Sequence, residues 1–188
     1  MDQAYIGINS TTIGGVSALP ATLLGGTAYT SPQTFILTDI SVMIGYGSAG
    51  ATCIAEVWSY DTATGKPAAK IAESTSDVVT VAVGAIAMQK FSLTAGLDLI
   101  NGTKYYFIFN NTSIGKSLSL GYTANAAAET YGSLDGGVTW INSGAVDVNS
   151  YGPVTTAGPS DDNVGFMTFR NMRKQQRYWA MRLMGETY

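Results

Sequence analysis

The residues that could do chemistry in this chain are few, and their types limit the reactions they could support. The 188 residues include no histidine, which is the commonest general base and a common metal ligand. The single cysteine, Cys53, excludes a disulfide framework and a thiolate zinc site. A glycosidase needs two neighbouring carboxylates, and no spacing among the acidic residues points to such a pair. We therefore expect no catalytic residues, no cofactor and no enzyme activity.

One short run of oxygen donors could hold a metal ion. Asp161, Asp162 and Asn163 are consecutive, and clustered carboxylate and amide oxygens suit Ca²⁺ when backbone carbonyls join them. The same three residues are also typical of a solvated turn, which is the interpretation we favour.

Aromatic side chains offer another kind of chemistry, because sugars bind by stacking on exposed rings. The chain has eleven tyrosines and three tryptophans. Trp58 with Tyr60, or Tyr131 with Trp140, could form a platform for a sugar. Aromatic residues in strands serve first as core and cross-strand contacts, however. Both interpretations remain open, and packing is our expectation.

Residues 133–140 match the pattern S-x-D-x-G-x-T-W, which is a hairpin signature. Its positions are Ser133, Asp135, Gly137, Thr139 and Trp140. We expect the aspartate to accept backbone N–H bonds, the glycine to adopt a positive φ, and the tryptophan to pack back on the sheet. The pattern resembles the Asp-box of sialidase propeller blades and other β-rich carbohydrate-processing proteins. In those families the box is structural, so we expect it to stabilise a hairpin.

These residues are embedded in a sequence patterned for strands. Apolar and polar residues alternate in 39–44, 53–58, 79–83 and 88–93, whereas 104–109 is apolar on both faces and predicts a covered central strand. Further strands are predicted at 118–122, 138–141, 164–169 and 178–184. Turn signals such as Asn101-Gly102 separate these segments. Many short strands without a helical period predict an all-β fold, an antiparallel two-sheet β-sandwich.

Composition divides the chain into two parts. Residues 1–34 are predicted to be an extended N-terminal arm or first loop, with membership of the sandwich as the alternative, and residues 35–188 to form the β-sandwich domain. The start of the chain lacks the apolar stretch of a signal peptide, and no apolar run is long enough to span a bilayer. We therefore expect no membrane partner.

Positive charge is concentrated near the C-terminus. Residues 170–182 hold five of the ten basic residues and no acid. Arg170, Arg173, Lys174 and Arg177 could form a docking strip for an acidic partner, or a solvated connection before a last strand. Nucleic acid is not an expected partner, because the rest of the domain is acidic and would repel phosphate.

Four stretches resemble, in this order, the jelly-roll β-sandwich modules of bacteriophage virion proteins and of some bacterial surface proteins. They are residues 57–67, 97–109, 135–140 and 180–185. The resemblance implies a sandwich of jelly-roll type and a non-enzymatic virion structural role, as a capsid decoration or head-fibre component of a tailed bacteriophage. It implies synthesis in the host cytoplasm, and partners among virion proteins and copies of the chain itself, with a trimer favoured. The alternative is a module of a tail fibre or bacterial surface protein that binds a receptor or a surface glycan.

Overall fold

A computed structural model describes residues 4–7, 15–19, 24–45, 48–124, 127, 129–143, 146–148 and 150–154. All of them belong to one compact unit, Met1–Thr155. Several sequence predictions lie outside the described residues: the strands at 164–169 and 178–184, the oxygen donors Asp161, Asp162 and Asn163, and the basic residues Arg170, Arg173, Lys174 and Arg177.

The described residues form fourteen strands in two sheets and include no helix. Sheet A contains β1 (Ala4–Gly7), β2 (Gly15–Leu19), β4 (Phe35–Gly45), β8 (Ala87–Leu99), β10 (Leu118–Ala124), β13 (Val146–Val148) and β14 (Ser150–Val154). Sheet B contains β3 (Leu24–Thr30), β5 (Thr52–Tyr60), β6 (Pro67–Thr75), β7 (Val79–Thr80), β9 (Lys104–Asn111), β11 (Thr130–Ser133) and β12 (Ile141–Asn142).

Every pairing between these strands is antiparallel. Sheet A has the order β1-β14-β4-β10-β13, with β2 on β10 and β8 on β4. Sheet B has the order β12-β11-β3-β9-β5-β6, with β7 on β5. The prediction of an all-β, antiparallel two-sheet fold is confirmed, and the jelly-roll type stays a prediction.

The main core is built by the alternation that the sequence shows. Ile40, Val42 and Ile44 of β4 join the core from sheet A, and Phe107 and Phe109 of β9 join it from sheet B. Alternate residues of a strand point to opposite faces, so Tyr106 and Ile108 of β9 leave this core and enter a second cluster. The prediction that 104–109 is a central strand buried on both faces is confirmed.

The structure differs from the predicted strands in several places, and β11, β13 and β14 were not predicted. The strand predicted at 138–141 is wrong for most of its length, because residues 134–139 form a turn and β12 contains only Ile141–Asn142. The strand predicted at 79–83 ends at Thr80. Residues 67–75, for which no strand was predicted, form β6, whose alanines and lysine carry little apolar alternation.

Segment 1–34 contributes three strands to the sheets. Residues 24–30 form β3, an inner strand between β9 and β11. Its glycines and threonines do not produce a strand signal by themselves, so its position is decided by the strands on either side.

Candidate functional site

The S-x-D-x-G-x-T-W segment forms a turn held by two side chains. Ser133 Oγ donates to Asp135 Oδ1 at 2.8 Å and accepts the N–H of Gly137 at 2.8 Å. Asp135 Oδ1 also accepts the N–H of Thr139 at 2.8 Å. These bonds, led by the backbone N–H of Thr139, lower the pKa of Asp135 to about 2. The side chains thus close the turn without any other part of the chain.

Gly137 joins this turn to the sheet beneath it. Its φ is +92°, and a Cβ built there would lie 2.4 Å from Cη2 of Trp58. The neighbouring Gly136 also has a positive φ, of +73°, but a Cβ there would have nothing within 4 Å. Glycine is needed at position 137 for two reasons, the backbone conformation and the close approach to the indole.

The outer face of sheet B carries a second apolar cluster, in which the four proposed platform residues Trp58, Tyr60, Tyr131 and Trp140 come together. The buried members are Leu24, Trp58, Tyr106, Ile108 and Trp140, with Ala28, Tyr60 and Tyr131 partly buried against them. Trp58 and Trp140, 8% and 7% exposed, meet edge to face with their ring centroids 5.2 Å apart. Two sequence-distant aromatic pairs therefore form one layer, because β5, β9, β3 and β11 are neighbours in the sheet.

The ring faces in this aromatic layer are largely occupied by one another. Tyr60 stacks on Tyr106 with centroids 5.7 Å apart and 14° between the planes. Lys104 Nζ lies 4.6 Å from the Tyr60 ring centroid, within cation–π range. Tyr131 meets Tyr106 edge to face at 6.1 Å. The layer is a packed second core and not a row of coplanar exposed rings.

One buried polar atom of the aromatic layer lacks a hydrogen-bond partner among the described residues. Trp140 Nε1 is buried and has no hydrogen-bond acceptor in the part of the chain that the structure describes. By contrast, Trp58 Nε1 donates to Glu56 Oε2 at 2.9 Å. A buried donor without an acceptor costs about 1–3 kcal/mol, so the Trp140 indole is a place where an outside acceptor would be favourable.

Three carboxylates, the buried Glu56 and Asp39 and the half-buried Glu129, are each paired with a lysine. Glu56 lies 3.5 Å from Lys70, Asp39 lies 3.2 Å from Lys90, and Glu129 lies 2.6 Å from Lys104. The first pair joins β5 to β6, the second joins β4 to β8, and the third joins β9 to the residue before β11. In the part of the chain that the structure describes, no group of three or more His, Cys, Asp or Glu residues could hold a metal.

The Glu129 pair extends to a tyrosine. Tyr60 Oη donates to Glu129 Oε1 at 2.9 Å, and this hydrogen bond raises the pKa of Tyr60. Desolvation acts to lower the pKa of Lys104, but the carboxylate of Glu129 outweighs it and the net shift is upward. Tyr106 Oη donates to the Gly65 carbonyl, and burial raises the pKa of Tyr106. All three groups keep their protons at neutral pH and act as structural donors.

Two nucleophile candidates are also bound into the structure. Burial raises the pKa of the Cys53 thiol to about 12, so it is protonated at pH 7. A Ser-x-x-Lys spacing, the arrangement of a serine nucleophile with a lysine base, occurs at Ser113 and Lys116 and was missed in reading the sequence. Lys116 Nζ donates to the Gly50 carbonyl at 3.0 Å, while the Ser113 hydroxyl is bonded to the backbone of Thr52. Through these bonds Ser113 and Lys116 join the loop between β9 and β10 to residues 50–52.

A surface feature emerges only from the assembled strands. The loops 48–51, 81–86, 112–117 and 134–139 lie at one end of the sandwich, because β4, β9 and β11 end there and β5, β8 and β10 begin there. Val83, Ile114 and Leu134 project from three of these loops and are 64%, 89% and 66% exposed. We call this surface, defined by those three residues, the apolar end.

The loops of each end carry one lysine and one aspartate. The four loops of the apolar end contain only two charged residues, Lys116 and Asp135, and both are hydrogen-bonded within the loops. The loops at the opposite end contain the exposed Lys66 and the half-buried Asp61, and they adjoin the Lys104–Glu129 ion pair. Contiguous apolar patches mark contacts with other proteins, whereas single exposed apolar side chains are common on any protein surface.

No family model and no curated protein matches the chain. Among solved structures it is similar to the clostridial cysteine protease Cwp84 after propeptide cleavage, with a TM-score of 0.54 and 9% identity over 75% of this chain and 38% of that one. It is also similar to the cysteine protease and lectin-like domains of Cwp84, a surface layer associated protein of Clostridium difficile. That match has a TM-score of 0.52 and 9% identity over 79% of this chain and 37% of that one. The chain thus spans under two fifths of these structures, and the likeness shows the fold alone.

Within the described residues, no helix is long and apolar enough to cross a membrane.

Proposed function

We propose that the chain is a non-enzymatic structural component of a virion, a capsid decoration or head-fibre component of a tailed bacteriophage. The observation that carries this proposal is the apolar end. Val83, Ile114 and Leu134 expose apolar surface on three separate loops. A protein held among many neighbours on a particle would bury it.

The chemistry of the described residues supports the same proposal. The buried carboxylates are used in lysine pairs, Cys53 keeps its proton, and the Ser113 hydroxyl is bonded to the Thr52 backbone. The lack of enzyme activity is part of this proposal. The location in a virion rests on the resemblance of the motifs to virion jelly-roll modules. The same resemblance implies that the chain is made in the host cytoplasm before it assembles into the particle.

The test is to look for the chain in purified virions. Antibodies raised against the chain should label particles from the phage that encodes it, and quantitative mass spectrometry should find a fixed, multiple copy number per particle. Purified chain added to particles stripped of it should rebind to the same number. Absence from the particles, with the chain found only in the infected cell, would refute the proposal.

A second candidate function is recognition of a surface glycan. The supporting observations are the unpaired Nε1 of Trp140, the half-buried ring of Tyr131 in the same cluster, and the term "lectin-like" in the description of one similar structure. The buried faces of Trp58 and Trp140 oppose a simple stacking platform. A sugar would have to use the rim of the layer and supply a hydroxyl acceptor to the Trp140 indole.

Nuclear magnetic resonance distinguishes this candidate. On titration with glycans that a glycan array selects, the indole N–H signal of Trp140 should shift, while that of Trp58, already bonded to Glu56, serves as an internal reference. A Trp140→Phe variant assigns the signal. An array on which the protein is not retained would exclude this candidate.

A further inference from the structure

Asn101 and Gly102 lie in the exposed loop that joins β8 to β9. The N–H of Thr103 donates to the Ile100 carbonyl at 3.1 Å. This bond makes Asn101 and Gly102 the two central residues of a β-turn, in which Gly102 has a φ of +75°. Within the described residues, the side-chain amide of Asn101 makes no hydrogen bond. The amide carbon is therefore not held away from the backbone nitrogen that follows it.

An asparagine followed by glycine can lose its side-chain amide in an intramolecular reaction. The deprotonated backbone nitrogen of Gly102 attacks Cγ of Asn101, the bond from Cγ to the side-chain nitrogen breaks, and ammonia leaves a cyclic succinimide behind. Water then opens the ring at either carbonyl, giving aspartate or isoaspartate. Gly102 favours ring closure because it has no side chain to obstruct its nitrogen, and nothing lies within 4 Å of the position of a Cβ there.

Hydrogen bonds to the β3–β4 loop restrain this reaction in the folded chain. The N–H of Gly102 donates to the carbonyl of the buried Ser31 at 2.9 Å. The N–H of Asn101 donates to Thr34 Oγ1 at 3.1 Å, and the N–H of Ser31 donates to the Thr103 carbonyl at 2.9 Å. Because a nitrogen that donates its hydrogen to Ser31 is shielded from base, the turn must open locally before the ring can close.

The other described asparagines do not combine these features. Asn111 is buried, its Nδ2 donates to the Lys116 carbonyl at 2.9 Å, and its Oδ1 accepts the N–H of Ser113 at 3.1 Å. Asn110 and Asn142 lie in the strands β9 and β12, and the residue after each of them carries a side chain. Among the described residues, Asn101 is thus the asparagine that is exposed, followed by glycine and placed in a turn.

We infer that Asn101 is a site of spontaneous deamidation, at a rate set by the opening of the turn from Ser31. The reaction replaces a neutral amide with a carboxylate, so the net charge of −3 becomes one unit more negative. Isoaspartate also adds one carbon atom to the main chain at residue 101, which displaces the N–H of Gly102 from the Ser31 carbonyl. The modified chain therefore loses part of the contact between the β3–β4 and β8–β9 loops. This inference does not depend on the proposed function.

The test is incubation of the full chain at mildly alkaline pH, followed by peptide mapping with mass spectrometry that separates aspartate from isoaspartate. We expect conversion at Asn101 and none at Asn142, at a rate that rises with pH because base must remove the Gly102 proton. The same chain unfolded in urea lacks the bond to Ser31 and should react faster. Thr34→Val, at an exposed position, removes the acceptor of the Asn101 N–H and eases opening of the turn. It should speed conversion in the folded chain by about twofold to tenfold, the range that loss of one hydrogen bond allows.

Thr80→Val is the matched control, because Thr80 is an exposed threonine of β7, paired with Thr52 at the other end of the sandwich from the turn. It should leave the rate at Asn101 unchanged. Thermal melting of both variants checks that they are folded. The inference is overturned if Asn101 stays intact in the folded chain while it converts in urea, or if the folded and unfolded chains react at the same rate. Equal rates for Thr34→Val and Thr80→Val would likewise refute control by the opening of the turn.

Discussion

Ser133, Asp135 and Gly137 show how a few residues can determine one turn. The serine and aspartate supply the acceptors, and the glycine supplies a conformation in which its N–H reaches Ser133 Oγ. None of these bonds depends on a residue outside 133–140. The geometry of the turn is therefore local, whereas its position on the sheet depends on Trp58.

Replacing Gly137 by alanine should destabilise the fold more than replacing Gly136. Both variants force an alanine into a positive φ, which costs about 1 kcal/mol, but only the Cβ at position 137 collides with Trp58. We expect Gly137→Ala to lower the free energy of unfolding by about 1–3 kcal/mol more than Gly136→Ala does, which is the usual range for overpacking. Urea denaturation of the two variants measures the difference. Equal losses would show that the contact with Trp58 is not tight.

The contribution of Asp135 to stability should depend on pH in one direction. The pKa of Asp135 is about 2 in the folded chain, against 3.8 for a free aspartate in the unfolded chain. The stabilisation is therefore complete above pH 3.8 and disappears as the pH falls to about 2. The wild type should therefore be more stable than Asp135→Ala at pH 6, and the gap should close by pH 2. Urea denaturation across this range provides the test, with Asp98→Ala, an exposed aspartate in β8, as control. A gap independent of pH would mean that the carboxylate is not the stabilising group.

Two elements, β9 and the turn at 133–140, organise the outer face of sheet B. β9 places Tyr106 and Ile108 there, and the turn places Trp140 over Trp58. The layer seals one face of the sheet that would otherwise leave large apolar side chains in water. Its rings stabilise the fold by burial and by their edge-to-face contacts.

Trp140→Ala tests whether this layer contributes to folding. The side chain is 7% exposed, and its loss should cost about 3 kcal/mol in free energy of unfolding, at the lower end of the range for large aromatic residues because an unpaired N–H is removed with it. Ile141→Ala is the control, since Ile141 is exposed and adjacent in sequence, and it should change stability by less than about 0.5 kcal/mol. Chemical denaturation measures both. A loss under about 1 kcal/mol for Trp140→Ala would mean that the turn packs loosely on the sheet.

At the scale of the whole described unit, polar bonds cross the core between the sheets. Tyr29 of β3, in sheet B, donates its hydroxyl to the Val148 carbonyl of β13, in sheet A. Thr27 Oγ1 accepts the N–H of the same Val148 at 2.9 Å. These bonds connect an inner strand of one sheet to an edge of the other, where apolar packing alone would leave the register free to slip.

Tyr29→Phe should weaken the join between the sheets without opening a cavity. Loss of the hydroxyl removes one of two side-chain donors to the Val148 carbonyl, because Ser150 Oγ also donates to it at 3.4 Å, and should cost about 0.5–1.5 kcal/mol. Tyr122→Phe, on a half-buried tyrosine of β10, serves as the matched control and should have little effect. Native-state hydrogen exchange of the Val148 amide, followed beside global unfolding, shows whether the loss is local or global. Unchanged stability and unchanged exchange would refute a joining role.

Features that depend on neighbouring residues could be predicted from the sequence alone. The alternation in 39–44 and 104–109 specified which side chains face the core, and the spacing from Ser133 to Trp140 specified the turn that they form. Both follow from geometry that repeats within a few residues, the two-residue period of a strand and the short reach of a side-chain oxygen to a nearby N–H. The prediction of a strand at 138–141 was wrong because the same aspartate bond that closes the turn removes Thr139 from extended pairing.

Contacts between residues far apart in the sequence could not be predicted, because they follow from the order of the strands in the fold. Trp58 and Trp140, 82 positions apart, come into contact because β5, β9, β3 and β11 lie side by side, and strand order is set by non-local packing that no local pattern encodes. The same order decided that the faces of Tyr60 are covered, whereas Ile114 and Leu134 remain exposed at one end. An exposed isoleucine and a core isoleucine have the same sequence signature, because exposure depends on what the rest of the chain places over the side chain.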